Sequence, residues 1–130
     1  MDLDFITDPE LAPKPRSEVR ILELTAEPFL DRQRVKVHIA ITAFAPVDRP
    51  SLEIAVARQD GSVLTSLSVI ETMHRTLDLT AHLREEAPAD GTYTVQADLY
   101  YDPDQVQHTL RAEFALPVEN PPAGVGGLKP

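Results

Sequence analysis

The chain has 130 residues, of which 42% are hydrophobic and 25% charged, and its net charge of −9 comes from 21 acidic against 12 basic residues. That length suits one domain able to bury a core unaided, and the acidic balance repels polyphosphates and anionic lipid surfaces, so no nucleic acid partner is expected. With no cysteine there is neither a disulfide framework nor a thiolate metal site, and no apolar run approaches the roughly 18 residues that a membrane helix needs, so no membrane insertion is expected.

Residues 1–17 combine Asp2, Asp4, Asp8 and Glu10 with the proline-containing "APKPRS" and read as an extended N-terminal arm, which also carries Phe5 and Ile6. "MDLDFITDPE" lacks the basic head and apolar stretch of a secretory signal, so a cytoplasmic location is expected if Met1 is the native start. The folded unit is expected over 18–118, followed by a flexible Pro/Gly-rich tail at 119–130.

Within that unit the hydrophobic period is two, the period of a strand with one buried face. "VRILELTAE" opens the series near 19–26, with an offset between Ile21 and Leu22 that predicts a bulge. "RVKVHIAIT", in a strand expected over 34–44, sets Val35, Val37, Ile39 and Ile41 against Arg34, Lys36 and His38. Leu52, Ile54 and Val56 share the inner face of 51–58. The run at 63–71 does not declare its face: Leu64 and Ile70 share one parity, Val63, Leu67 and Val69 the other. Leu77, Leu79, Ala81 and Leu83 point inward from 75–83, and Leu110, Ala112, Phe114 and Leu116 from 105–116. Between these lies 91–101, with Tyr93, Val95, Ala97, Leu99 and Tyr101 inward.

Seven short amphipathic runs separated by turn residues predict an all-β domain, a two-sheet antiparallel immunoglobulin-like sandwich, with a small barrel as the alternative. "DGTYTV", at 90–95, resembles the turn-and-strand element of bacterial immunoglobulin-like and fibronectin type III-like domains. The resemblance implies a structural corner: Asp90 and Gly91 form the turn, and the Tyr93 hydroxyl bonds back across the loop. Val95 would then hold the place of the second cysteine of antibody domains. The chain has no cysteine pair and no tryptophan, which excludes antibody-like membership and leaves the wider sandwich class. The parity of Tyr93 beside a turn supports the same structural role independently.

No catalytic residue is expected. None of the serines lies in a G-x-S-x-G turn, and the pairs Glu85 with Glu86 and Asp102 with Asp104 sit in turn sequences, where acids bond locally. Glu71 and His74 are spaced three apart but not in a helical pattern. His38 and His82, both outward on strands expected to be neighbours, are a weak zinc pair, since two imidazoles supply only half of a tetrahedral shell. Alternatively, His38 faces Asp78 across the strands. No metal or other cofactor is therefore expected.

What remains is a non-catalytic protein-interaction or structural module. Phe29, Phe44 and Tyr100 fall at positions expected to be exposed or in loops. The run 62–70 carries no charge and no proline, so an edge strand there, through Leu64, Leu67 and Ile70, is a contact for a protein partner or a second copy. A small-ligand or carbohydrate-binding sandwich is the alternative, disfavoured by an aromatic content of 5% and the lack of tryptophan.

Overall fold

Alternation becomes strand structure throughout residues 12–84 and 91–117, the part of the chain described by the computed structural model. A short 3-10 turn at Arg16–Glu18 leads into β1 (Ile21–Pro28), β2 (Arg34–Ile41), β3 (Ser51–Arg58), β4 (Val63–Val69), β5 (Thr76–His82), β6 (Thr92–Asp102) and β7 (Gln105–Ala115). The strands form two antiparallel sheets, ordered β1-β2-β5 and β4-β3-β6-β7. The expected seven-strand sandwich is what the chain forms.

Each sheet turns one parity inward. Val35, Val37, Ile39 and Ile41 from one sheet, and Leu52, Ile54, Val95, Ala97 and Leu99 from the other, all have 0% exposure and belong to a single core cluster. The bulge predicted in the first strand lies between Ile21 and Glu23. It lets Ile21 and Leu24 both be buried while Leu22 stays exposed. The undecided fourth strand is settled by its neighbour. Leu67 pairs with Ile54 and Val69 with Leu52, so both face the core. A register shift at Val56/Ala57 adds an extra residue at Leu64, which therefore also packs against the core, whereas Ile70, past the strand's end, is exposed. The parity that grouped Leu64 with Ile70 is thus corrected by the bulge.

Antiparallel connectivity sends the connections to two ends. One, called here the proximal end, carries residues 12–20, the loop 42–50, the crossover 70–75 and the tight turn between β6 and β7. The distal end carries the turns at 29–33 and 59–62 and the start of β6. Gly61, at φ +94, and Gly91, at φ +130, hold backbone conformations that a side chain would strain. Beside Gly61, Asp60 accepts from the Ser62 N–H at 2.8 Å and from its hydroxyl at 2.7 Å. These bonds, the backbone one first, hold the Asp60 carboxyl below its ordinary range.

The sandwich is bolted along one side and at the distal end. The Ile21 N–H donates to His108 Nδ1 at 3.0 Å, and Gln107 Nε2 donates to the carbonyls of Arg16 and Val19 at 2.9 and 2.7 Å, so β1 is tied to β7 across the sheets. At the distal end Arg32, with φ +61, is only 7% exposed and donates through Nη1 to the carbonyl of Pro117. The opposite side, where β4 and β5 are the two edges, has only sparse contact between the sheets.

Candidate functional site

The proximal end is organised around Tyr101. β6 runs in strict alternation to Leu99 and then shifts register between Leu99 and Asp102, which aims the last tyrosine of the strand at the loops. Its hydroxyl donates to the carbonyl of Asp48 at 2.7 Å, and the Arg16 guanidinium lies 4.5 Å above its ring. Arg16 Nε also donates to Asp48 Oδ1 at 3.2 Å. Burial, then the nearby Asp48 carboxylate, push the Tyr101 phenol above its ordinary value, and Arg16 opposes them.

Two clefts flank this cluster. One, of about 580 Å³, runs between Arg16 and the β6–β7 turn, past Tyr101, Gln105 and Val106. The other, of about 430 Å³, lies between Arg16, Val47, Arg49, Ser51 and Glu71. The crossover beside it is fixed by buried Thr72. The Thr72 N–H donates to the Pro50 carbonyl at 2.9 Å, and its hydroxyl donates to the His74 carbonyl at 3.0 Å.

Charge and apolar surface both single out this end. Among the described residues of this end, Lys14, Arg16, Arg20, Arg49 and Arg75 balance Glu18, Asp48, Glu71, Asp102 and Asp104 one for one, in a chain of net charge −9. Seven large hydrophobic residues are exposed among the described residues, and five of them, Leu22, Val47, Ile70, Met73 and Val106, lie at the proximal end. Only Leu30 and Val63 lie at the distal end.

The outer faces of the sheets are polar ladders. On the three-stranded sheet His38 sits between two carboxylates, with Nδ1 at 2.9 Å from Asp78 Oδ1 and Nε2 at 3.4 Å from Glu23 Oε1. This is the cross-strand pairing expected for His38. His82 pairs instead with Arg34, four residues along β2 from His38, a separation of about 13 Å at the rise of a strand. The two imidazoles are not brought together. Among the described residues no group of three or more His, Asp or Glu side chains is placed to hold a metal ion. On the other sheet Arg111 Nε donates to Gln96 Oε1 at 2.7 Å, and Asp98 Oδ1 accepts from Gln96 Nε2 at 3.1 Å and from the Thr109 hydroxyl at 2.8 Å.

The other residues singled out by sequence fall as follows. Tyr93 is 3% exposed and stacks on Phe114 with ring centroids 5.7 Å apart. Its turn partner Gly91 is described, whereas Asp90, the Glu85 and Glu86 pair, and Phe5 and Ile6 of the arm lie outside the described residues. Phe44 lies in the loop 42–50, as expected, but is half-buried and packs against the core. There the neighbouring Ala43 carbonyl accepts from Lys14 N–H at 2.9 Å, so the segment 12–17 runs along the loop 42–50. Tyr100 is half-buried on the outer face of β6, opposite Ser51. Phe29 is covered by the Arg34 guanidinium at 4.3 Å. Sequence reasoning missed the Arg16–Asp48–Tyr101 cluster and buried Arg32. The inward parity of Tyr101 at a strand end was the one available signal.

No protein-family model and no curated protein matches this sequence. Among solved structures the chain is similar to part of a Bifidobacterium dentium β-glucuronidase complexed with coumarin-3-O-glucuronide, at 12% identity and a TM-score of 0.53, over 75% of this chain and 18% of that one. It is also similar to part of Parabacteroides merdae β-glucuronidase, at 17% identity and a TM-score of 0.53, over 76% of this chain and 14% of that one. The chain therefore spans less than a fifth of either enzyme, and at these identities the likeness is one of fold, a β-sandwich unit.

Proposed function

We propose that this chain is a non-catalytic, immunoglobulin-like interaction module of the broad fibronectin type III-like kind, which docks a protein partner through its proximal end. The observation that carries the reading is the gathering of exposed Leu22, Val47, Ile70, Met73 and Val106 at that end. Apolar residues in a frame of charged ones are the anatomy of a protein interface. The balanced charge there spares a partner the repulsion that the rest of this acidic chain exerts. The strand order supports the wider sandwich class, because the fourth strand joins the third and not the sheet it occupies in antibody constant domains. The similarity to fragments of much longer chains is consistent with an accessory unit, and glucuronide chemistry is not carried over from them.

A carbohydrate-binding role gains no support from the rings of Tyr101, Phe29, Tyr93 and Phe114. Arg16 lies over Tyr101, Arg34 over Phe29, and Phe114 stacks on Tyr93, so each has a face taken that a sugar would use. The test is affinity capture from the source cells with the wild-type chain and with a Val47→Asp/Met73→Asp variant. A partner retained by the first and lost by the second, with equal thermal midpoints, is the expected result. Partners held equally by both would overturn the assignment of the proximal end, and specific binding in a glycan panel would overturn the function.

A further inference from the structure

A sandwich of this order has four edge strands, β1 and β5 in one sheet and β4 and β7 in the other. An edge offers unpaired backbone donors and acceptors to another chain unless charge, proline, a bulge or a covering element protects it. β1 has its bulge, Glu23, Glu27 and Pro28, and is bonded to β7 through His108 and Gln107. β7 adds Arg111 and Glu113, and β5 presents Asp78 and His82. β4 differs from all three. Its sequence, Val-Leu-Thr-Ser-Leu-Ser-Val, holds no charge and no proline, and among the described residues its one protection is the register shift near Leu64.

The distribution of apolar surface along β4 indicates what covers it. Val63, 59% exposed, opens the strand, and Ile70, 66% exposed, follows its last residue. Val63 pairs with outward Ala57, and Ile70 follows inward Val69, so both belong to the outer face of the sheet. In an antiparallel pair the start of one strand lies beside the end of the other. When both strands are β4, Val63 of each copy approaches Ile70 of its mate, at both ends and on one face. A two-fold axis also sets each residue type against its own kind or its near neighbours. Along a charged edge some registers oppose like charges, whereas β4 carries no charge and has no register that does.

We propose that β4 pairs antiparallel with β4 of a second copy, joining two four-stranded sheets into one of eight strands. Apart from Ile70, which is common to both, the residues of this contact differ from those assigned to a partner, Leu22, Val47, Met73 and Val106.

Sedimentation of the full chain from about 1 µM to about 1 mM, where mass action populates weak dimers, provides the test. The wild type is expected to double its mass with rising concentration, and amide exchange over residues 63–69 should slow in step. Ser66→Lys places a cation at an exposed position in mid-strand and should restore the monomer mass at an unchanged circular dichroism spectrum. Ile70→Lys, beyond the strand's pairing with β3, is the second variant should Ser66→Lys fail to fold. A wild type that stays monomeric throughout would overturn the proposal. So would a dimer that survives the folded variants, or one whose exchange at 63–69 ignores concentration.

Discussion

Replacing Arg32 should cost more stability than any basic residue in a surface turn ordinarily does. Its side chain is 7% exposed and donates to the carbonyl of Pro117, 85 positions away, while its backbone sits at φ +61. A hydrogen bond from a charged donor contributes about 1.5–3 kcal/mol, and the left-handed conformation costs a non-glycine residue about 1–2 kcal/mol. Arg32→Ala keeps the strain and loses the bond, so the expected loss is about 2–3 kcal/mol. Arg32→Gly loses the same bond but relieves the strain, which is partly offset by the freer unfolded chain, so it should be about 1 kcal/mol less damaging than alanine. Urea unfolding followed by circular dichroism reads both as shifts in midpoint at constant slope. Thermal midpoints should fall by about 4–8 °C per kcal/mol for a domain near this size. Alanine at the wild-type midpoint, or glycine worse than alanine, would refute the bolt between the turn and the end of β7.

Leu67→Lys forces an ammonium against the core and should destabilise by about 2–3 kcal/mol, whereas Ile70→Lys, at an exposed site, should stay within about 0.5 kcal/mol of wild type; denaturant midpoints check both. Tyr101→Phe leaves the Asp48 carbonyl without the 2.7 Å bond it accepts and should lower stability by about 1 kcal/mol at neutral pH. Because the folded state raises the Tyr101 phenol above its ordinary value of 10.0, the stabilisation linked to its proton is complete below that pH. It is lost as pH rises through the folded value, so above it wild-type stability should fall more steeply with pH than that of Tyr101→Phe. Tyr93→Phe should cost about 1–2 kcal/mol if its hydroxyl serves the corner role, and an unchanged midpoint would remove that role.

Strand identity was legible because alternation is local: Val35 to Ile41 and Val95 to Leu99 each declare a buried face within one run of residues. The offset at Ile21 and Leu22 likewise announced its bulge. In β4 the hydroxyl and aliphatic side chains differ too little in polarity to mark a face, and a single inserted residue at Leu64 broke the parity. Pairing with Leu52 to Val56 decided it. His38 and His82 were placed correctly on adjacent strands, but whether two such residues meet depends on register, which here sets them four residues apart. Arg16, Asp48 and Tyr101 come from three separate segments, and Arg32 reads in sequence as an ordinary polar turn residue. The sequence by itself determined the elements and their inward faces, because each follows from the preference of nearby side chains for water or oil. Only the tertiary structure decided which segments meet at the proximal end, which face of β4 turns to the core, and which arginine is buried, because those depend on contacts between residues tens of positions apart.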